Sequence, residues 1–548
     1  MSKCRKDSVN VDLDDILREL GPWGAFKYRN YCLIILPIIF SAIYNGQYVF
    51  NAGKPNYRCL VPECESSPPM WTPEEWGQWA LPGGDLNSCE RRVPVNSTCK
   101  ENSFLNSTQQ CTSWVYETNN TIVAEFDLAC QEWRRTLVGS IHSAGLFTAL
   151  LFIGFISDTV GRRHTFIITA TLPAVAGLVR AYSTSYSMYV ALEYFEALFA
   201  SGAYTTGYIL ALEMVDLDKR VIAGNGMSMC FATGQMLLAI LAWMFPYWRT
   251  LTKVLYVPSF FFIFYYLFLV ESVRWLLSKG KKMEAARIIF KAAAVNGRQL
   301  SEETIRQLTT DSQTSQKNVK KQELGKGRLR RLLWLEVLQS RILMTRLVIC
   351  SFWFISVTFI YYGLSINSVT LAGNMYINYG LTAVVEIPGY IISIMTLDRF
   401  GRKHSIITAF FVCGVALIAM PFTTTREAVQ LGLSLIGKFA SSMAISGIYV
   451  YSLEMFPTDS RHGLLAICCL SGRLGLLLAP YSPLLMRVSP SLPYLVFGVL
   501  AWCAGALMLF TPETLRAPLP DTVAQSEQLA ASPTPRPLAK HSKIFRTA

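Results

Sequence analysis

An all-α membrane protein with twelve transmembrane helices in two six-helix halves is the fold class this 548-residue sequence predicts, and three observations predict it. Apolar residues make up 52% of the chain and charged residues 16%, with a mean hydropathy of +0.32. A soluble domain of this size needs a more polar exterior. Apolar runs recur at about the 20 residues a helix needs to cross the hydrocarbon layer, and charged phrases recur in register between the first and second halves of the chain.

The elements follow in order. Residues 1–29 read as a polar cytoplasmic N-terminus, and Asp12, Asp14, Asp15 and Glu19 do not suit a cleaved signal peptide. The N-terminal bundle, 30–270, is expected to hold helices at 30–50, 137–156, 165–182, 188–214, 221–245 and 254–270, with an extracellular loop at 51–135. A cytoplasmic central loop at 271–346 precedes the C-terminal bundle, 347–510, with helices at 347–366, 376–397, 404–421, 431–453, 464–486 and 494–510. Pro37, Pro173, Pro258 and Pro388 interrupt helices, which neighbouring helices can accommodate. Residues 511–548 are rich in Pro, Ser and Ala and read as a disordered cytoplasmic tail.

Orientation rests on the basic residues. From Glu271 to Arg346 there are 17 Lys and Arg against 7 Asp and Glu, most of the chain's net +13. Arg162, Arg163, Lys219, Arg220, Arg399, Arg402, Lys403 and Arg461 fall on the same side, so both termini and the central loop are placed in the cytoplasm of a plasma-membrane protein. The segment KKMEAARIIFKAAA reads as an amphipathic helix lying on anionic lipid. Basic charge beside membrane helices, without interleaved aromatics, argues against a nucleic-acid partner. The loop 51–135 carries Cys59, Cys64, Cys89, Cys99, Cys111 and Cys130, with glycosylation acceptors at Asn96, Asn106 and Asn119. That combination marks an oxidising exterior, although six cysteines can pair in about 15 ways.

The repeated phrases are GFISDTVGRR at 154–163 with LDRFGRK at 397–403, ALEMVDLDKR at 211–220 with SLEMFPTDSR at 452–461, and ESVR at 271 with ETLR at 513. Asp158 and Asp398, Glu213 and Glu454, and Glu271 and Glu513 stand 240, 241 and 242 residues apart, as if one six-helix unit had been written twice. Gly161 and Gly401 allow a tight turn, and Asp158 and Asp398 are expected to cap helix starts. The Arg residues of these phrases, Arg162, Arg163, Arg220, Arg402 and Arg461, are expected to form ion pairs that exist in only one packing of the halves, and with Glu213 and Glu454 to bias a gating equilibrium.

These phrases resemble the major facilitator superfamily. Within it, the six-cysteine loop, NYRC at 56–59, YYGLSINS at 361–368, VVEIPGY at 384–390 and GRLGLLLAPY at 472–481 resemble solute carrier family 22, the organic cation, carnitine and organic anion transporters, and especially its insect organic cation transporter-like branch. Two departures stand out: Val270, just before the ESVR phrase, and Val273, within it, stand where the family has Pro, and Ile394 stands where Gly is usual.

A charge at membrane mid-depth costs roughly 2.5 to 3.5 kcal/mol on insertion scales, so Glu386, Lys438 and Arg473 are candidate substrate residues. The resemblance implies that Arg473 matches an Arg of the carnitine-type and anion-type branches and Glu386 a Glu of cation transporters. It also brings Tyr204, Tyr208, Phe231, Phe354, Tyr361, Tyr362 and His142 to the site. Rings of this kind hold an ammonium by cation-π attraction, and His142 is eligible for proton coupling.

The expected activity is therefore alternating-access transport of small organic cations or zwitterions, with organic anion exchange as the alternative. No phosphate-binding loop points to ATP, no metal or other cofactor is called for, and no catalytic motif points to an enzyme. The partners are a small-molecule substrate, the bilayer and a candidate co-transported ion, H+ or Na+.

Overall fold

The computed structural model describes residues 16, 19, 24–73, 75–84, 88–215, 220–302, 304–305, 336–423, 426–458, 460–515, 517 and 520–529. The first half contributes α1 (Ala25–Asn51), α2 (Glu132–Val160), α3 (Arg162–Arg180), α4 (Tyr186–Met214), α5 (Arg220–Met244) and α6 (Trp248–Phe268), which tightens to a 3₁₀ helix over Val257–Phe264. The second half contributes α7 (Arg341–Asn367), α8 (Met375–Phe400), α9 (Arg402–Ala419), α10 (Glu427–Met455), α11 (Arg461–Leu478) and α12 (Leu492–Met508).

Among the described residues, 9 helices are long and apolar enough to cross a membrane, and α12 is apolar but shorter. Helices α3 and α4 fall outside that group because Arg, Thr and Glu side chains lower their hydropathy. The charges in the second part of α3 and the first part of α4 are buried rather than exposed to lipid: Arg180 is 1% exposed and Glu196 0%. One core is built entirely of residues between Val337 and Val523, around Trp353, Phe410, Tyr451 and Phe497. Two others belong mainly to the first half, centred on Tyr44, Trp248 and Tyr256 and on Ile34, Phe166 and Phe262. The apolar faces of α1–α6 and of α7–α12 thus largely cover one another within each half.

The segment between α1 and α2 is a small folded unit. Strands β1 (Tyr57–Cys59) and β4 (Trp114–Tyr116) pair antiparallel, as do β2 (Glu90–Pro94) and β3 (Phe104–Gln110). Disulfides join Cys59 to Cys111, Cys64 to Cys99 and Cys89 to Cys130, resolving the pairing that the sequence left open. The fully buried Arg58 lies over Trp76, 5.2 Å from its ring centre, and its Nη2 donates to Glu65 at 3.1 Å.

The halves meet at the end that carries this unit. Phe50 stacks on Tyr376 with centroids 5.6 Å apart, Ser143 Oγ donates to the Leu476 carbonyl at 3.3 Å, and Gly139 packs so closely on Pro480 that a Cβ there would lie 2.8 Å from it. Toward the other end, five residues into α5 and nine from the end of α10, Ser446 Oγ donates to Asn225 Oδ1 at 2.9 Å.

Two expectations about the polar segments change. Helix Lys282–Asn296 does not lie free on a surface: its Ala286, Ile289 and Ala293 face packs against Phe26 and Ile16. The tail is ordered over 520–529, where Thr522 caps the helix Val523–Gln528, Val523 is buried, and Ser526 donates to the Met455 carbonyl at 2.9 Å. Polar composition hid Val523 as an apolar anchor. Residues 530–548 and 306–335 lie outside the described residues.

Candidate functional site

The repeated phrases build the same device twice. In the first half Arg162 Nη1 binds Asp158 Oδ1, and Arg162 Nε lies 3.6 Å from Glu213. In the second, Arg402 Nη1 binds Asp398 at 3.0 Å and Nη2 binds Glu454 at 3.2 Å. Glu271 Oε1 accepts from the Arg163 amide at 3.0 Å, and Glu513 accepts from the Arg402 and Lys403 amides at 3.0 and 3.1 Å. A carboxylate at a helix N-terminus satisfies orphan N–H groups and meets the positive end of the dipole.

Three expectations are corrected here. Asp158 and Asp398 do not cap helix starts; they close the preceding helices through their Arg partners, and Glu271 and Glu513 are the caps. Arg461 does not pair with Glu454: its guanidinium donates to the Phe456 carbonyl and to Thr458 Oγ1, each at 3.3 Å, while Arg402 takes Glu454. Arg163 turns to the Tyr266 carbonyl and ring within its own half. The side chain of Arg220 lies outside the described residues. Among the described residues these pairs all join groups of one half, and the side chains of Asp158 and Asp398 are 65% and 74% exposed.

At mid-depth the candidate charges separate into two kinds. Glu386 and Lys438 are both 0% exposed and lie 3.0 Å apart. Lys438 Nζ also donates to the Tyr361 carbonyl at 2.9 Å and to Ser365 Oγ at 2.7 Å, and sits 3.2 Å from the Tyr361 ring centre. The Tyr361 hydroxyl donates to the other oxygen of Glu386. The expectation that Glu386, Lys438 and Tyr361 face cargo is therefore not met: they neutralise and cover one another. Phe354 is 1% exposed and backs Tyr449, with ring centroids 4.9 Å apart.

Arg473 is different. It is half-buried, and among the described residues it has neither a hydrogen bond nor an ion pair. Tyr204, Tyr362, Tyr449 and Cys469 lie within its electrostatic reach. Tyr204 stacks with Tyr208 at 6.0 Å and meets Phe231 edge-on at 5.4 Å, so α4, α5, α7, α10 and α11 each bring an aromatic or cationic group to one region. Tyr449 was missed from sequence; its signal was the run YVYSLEM, one helical turn before Glu454.

His142 lies elsewhere, 1% exposed beside Tyr48. Its Nδ1 is 2.9 Å from Glu193 Oε1, and Glu193 also pairs with Arg180. Arg180 was missed because it closes α3, where a basic residue reads as a flank. The paired spacing of Glu193 and Glu196, on one face of α4, was the available clue.

Fold and site together define a membrane transporter. A model of the family "Sugar (and other) transporter" matches residues 93–522. The chain is 32% identical over 540 residues to the organic cation transporter protein of Drosophila melanogaster, covering 96% of each. It is 28% identical to organic cation/carnitine transporter 2 of Mus musculus, covering 94% of each. The E. coli xylose transporter XylE, in a partially occluded inward-open conformation, shares the fold with a TM-score of 0.60 at 16% identity, over 89% of this chain and 99% of that one. The chain belongs to the major facilitator superfamily of transporters and, within it, to solute carrier family 22. It is not an enzyme.

Proposed function

We propose that this chain carries small organic zwitterions across the plasma membrane by alternating access between two six-helix halves, with the disulfide-bonded unit outside and both termini inside. One observation carries the reading: Arg473 is the cation in the aromatic region that no described residue neutralises, whereas Glu386 is held by Lys438. A guanidinium binds a carboxylate through two parallel hydrogen bonds. The faces of Tyr204, Tyr362 and Tyr449 offer an ammonium about 2 kcal/mol of attraction when desolvated.

The arrangement of the halves supports the cycle. They touch at the outer end and at the Ser446–Asn225 hydrogen bond, while among the described residues the repeated charge devices at the other end pair within their own half. The cycle then requires the outer contacts of Phe50 with Tyr376 and of Ser143 with Leu476 to part.

A second reading, organic anion exchange, is favoured by the same unneutralised guanidinium. Uptake of a carnitine-like zwitterion, a quaternary amine and a dicarboxylate in cells with and without the chain separates the two. Arg473→Asp is expected to abolish zwitterion uptake and raise that of the amine. Selectivity unchanged in that variant removes Arg473 from the substrate site, and uptake of the dicarboxylate alone selects the exchanger.

A further inference from the structure

Near the outer end of the first half, four buried side chains form a cluster whose charges do not balance. Arg180, Glu193, Glu196 and His142 are all 0 to 1% exposed. Arg180 Nη1 pairs with Glu193, and its Nη2 donates to Gln47 Oε1 at 2.9 Å and the Tyr256 hydroxyl at 3.2 Å. Glu193 is thus satisfied twice, by Arg180 and by His142 Nδ1 at 2.9 Å. Glu196 is left over. Its Oε2 lies 3.7 Å from Arg180 and 3.8 Å from His142, and neither oxygen has a hydrogen bond. The Nε2 of His142 is likewise buried without one.

With His142 neutral, one guanidinium faces two carboxylates, so the cluster is one charge negative. A buried carboxylate held only by a guanidinium at 3.7 Å that is already paired with Glu193 is poorly compensated for leaving water. A single added proton removes the excess.

Among the described residues, the surroundings supply no other cation. Among the described residues, the titratable groups facing the cluster are Tyr44 and Tyr48 from α1, Tyr189 from α4 and Tyr256 from α6, with Tyr362 and Tyr379 reaching Tyr48 from the second half. Tyr44 stacks on Tyr256 at 4.6 Å and binds Ser259.

We propose that Glu196 is a proton-carrying site, and that inward proton movement drives uptake of the substrate. The inference rests on the transport reading above. A proton from outside water adds to a Glu196 oxygen, leaving the cluster neutral and allowing the outer end to close. Release of that proton to inside water restores the carboxylate, which demands hydration and reopens the outer end. Each cycle moves one proton in and leaves the chain unchanged. Tyr48 and Tyr362 connect the cluster to the Arg473 region: Tyr48 lies 5.1 Å from the His142 ring, and Tyr362 is within electrostatic reach of both Tyr48 and Arg473.

Two measurements on the full chain in liposomes test this. Infrared difference spectra between alkaline and acid buffer, with no substrate present, should show a protonated carboxyl band that Glu196→Gln removes and Asp398→Asn does not. With the membrane potential held at zero, an outside made acid by one pH unit should concentrate a labelled carnitine-like zwitterion about tenfold. Glu196→Gln should equilibrate the tracer without concentrating it, and His142→Gln should shift the pH at which the band appears. A band untouched by Glu196→Gln overturns the proposal, as does accumulation that follows sodium instead of protons. Tracer uptake with no response to the gradient sinks the proton site but leaves the transport reading standing. The band present and removed by Glu196→Gln, with none of the three probe classes carried, sinks the transport reading and the coupling built on it, and leaves Glu196 as a protonation site.

Discussion

Glu386 on α8 and Lys438 on α10 face each other at 3.0 Å with neither side chain exposed, so two charges that looked like cargo ligands hold helices together instead. Removing one partner strands the other. Lys438→Met is expected to destabilise the chain by about 3 to 5 kcal/mol, read as a lower unfolding temperature in detergent. The double variant Glu386→Gln with Lys438→Met is expected to recover most of that loss. A single variant as stable as the wild type would show that the pair carries no such weight.

The disulfide-bonded unit gives a covalent prediction. Digestion without reductant, followed by mass spectrometry, should recover peptides joined as Cys59 to Cys111, Cys64 to Cys99 and Cys89 to Cys130. The sequons at Asn96, Asn106 and Asn119 are all exposed, so each Asn→Gln change should shorten the glycan ladder by one step on a gel. A ladder that no substitution alters would place the unit on the wrong side of the membrane.

Acid should loosen the disulfide-bonded unit from α6. Burial raises the Glu125 carboxyl, but hydrogen bonds from Arg249 and Trp248 and the Arg249 charge outweigh it, holding the group below its ordinary value of 4.5. A carboxylate with a lowered folded value contributes stability above its unfolded value and loses it as pH falls through the folded one. Proteolysis near Ile122–Glu125 should therefore accelerate below about pH 4, where the ordinary carboxylate range begins. Glu125→Gln should flatten that pH dependence.

Bulk hydropathy and the doubled phrases made the helical fold legible, because burial in lipid and internal repetition both leave marks on residue type and spacing. What the sequence could not carry was partner choice. GFISDTVGRR places Asp158 and Arg162 one turn apart, so their pairing was near at hand, yet Glu271 reaches back across 108 residues to cap α3. Likewise Glu386, Lys438 and Arg473 share a depth and a residue class, and only the rotation of α8 and α10 decides that the first two meet and the third stays open.

The two turn glycines offer the sharpest check on that repetition. Gly161 and Gly401 have φ of 118° and 101°, where side chains are rarely tolerated. A Cβ at Gly161 would lie 2.5 Å from Glu271 Oε2, and one at Gly401 2.6 Å from Glu513 Oε2. Each carboxylate is fixed by the backbone amides it caps, so it cannot swing away without orphaning them. Gly161→Ala and Gly401→Ala should therefore each destabilise by about 1 to 3 kcal/mol, and by similar amounts, because strain and displaced cap recur together. Glu271→Ala and Glu513→Ala free the space but lose the cap. Adding either to the matching glycine variant should cost less than the sum of the two changes, since the clash is already gone. Strict additivity in both halves would mean that glycine and carboxylate do not oppose each other, and the shared device would dissolve into two unrelated turns.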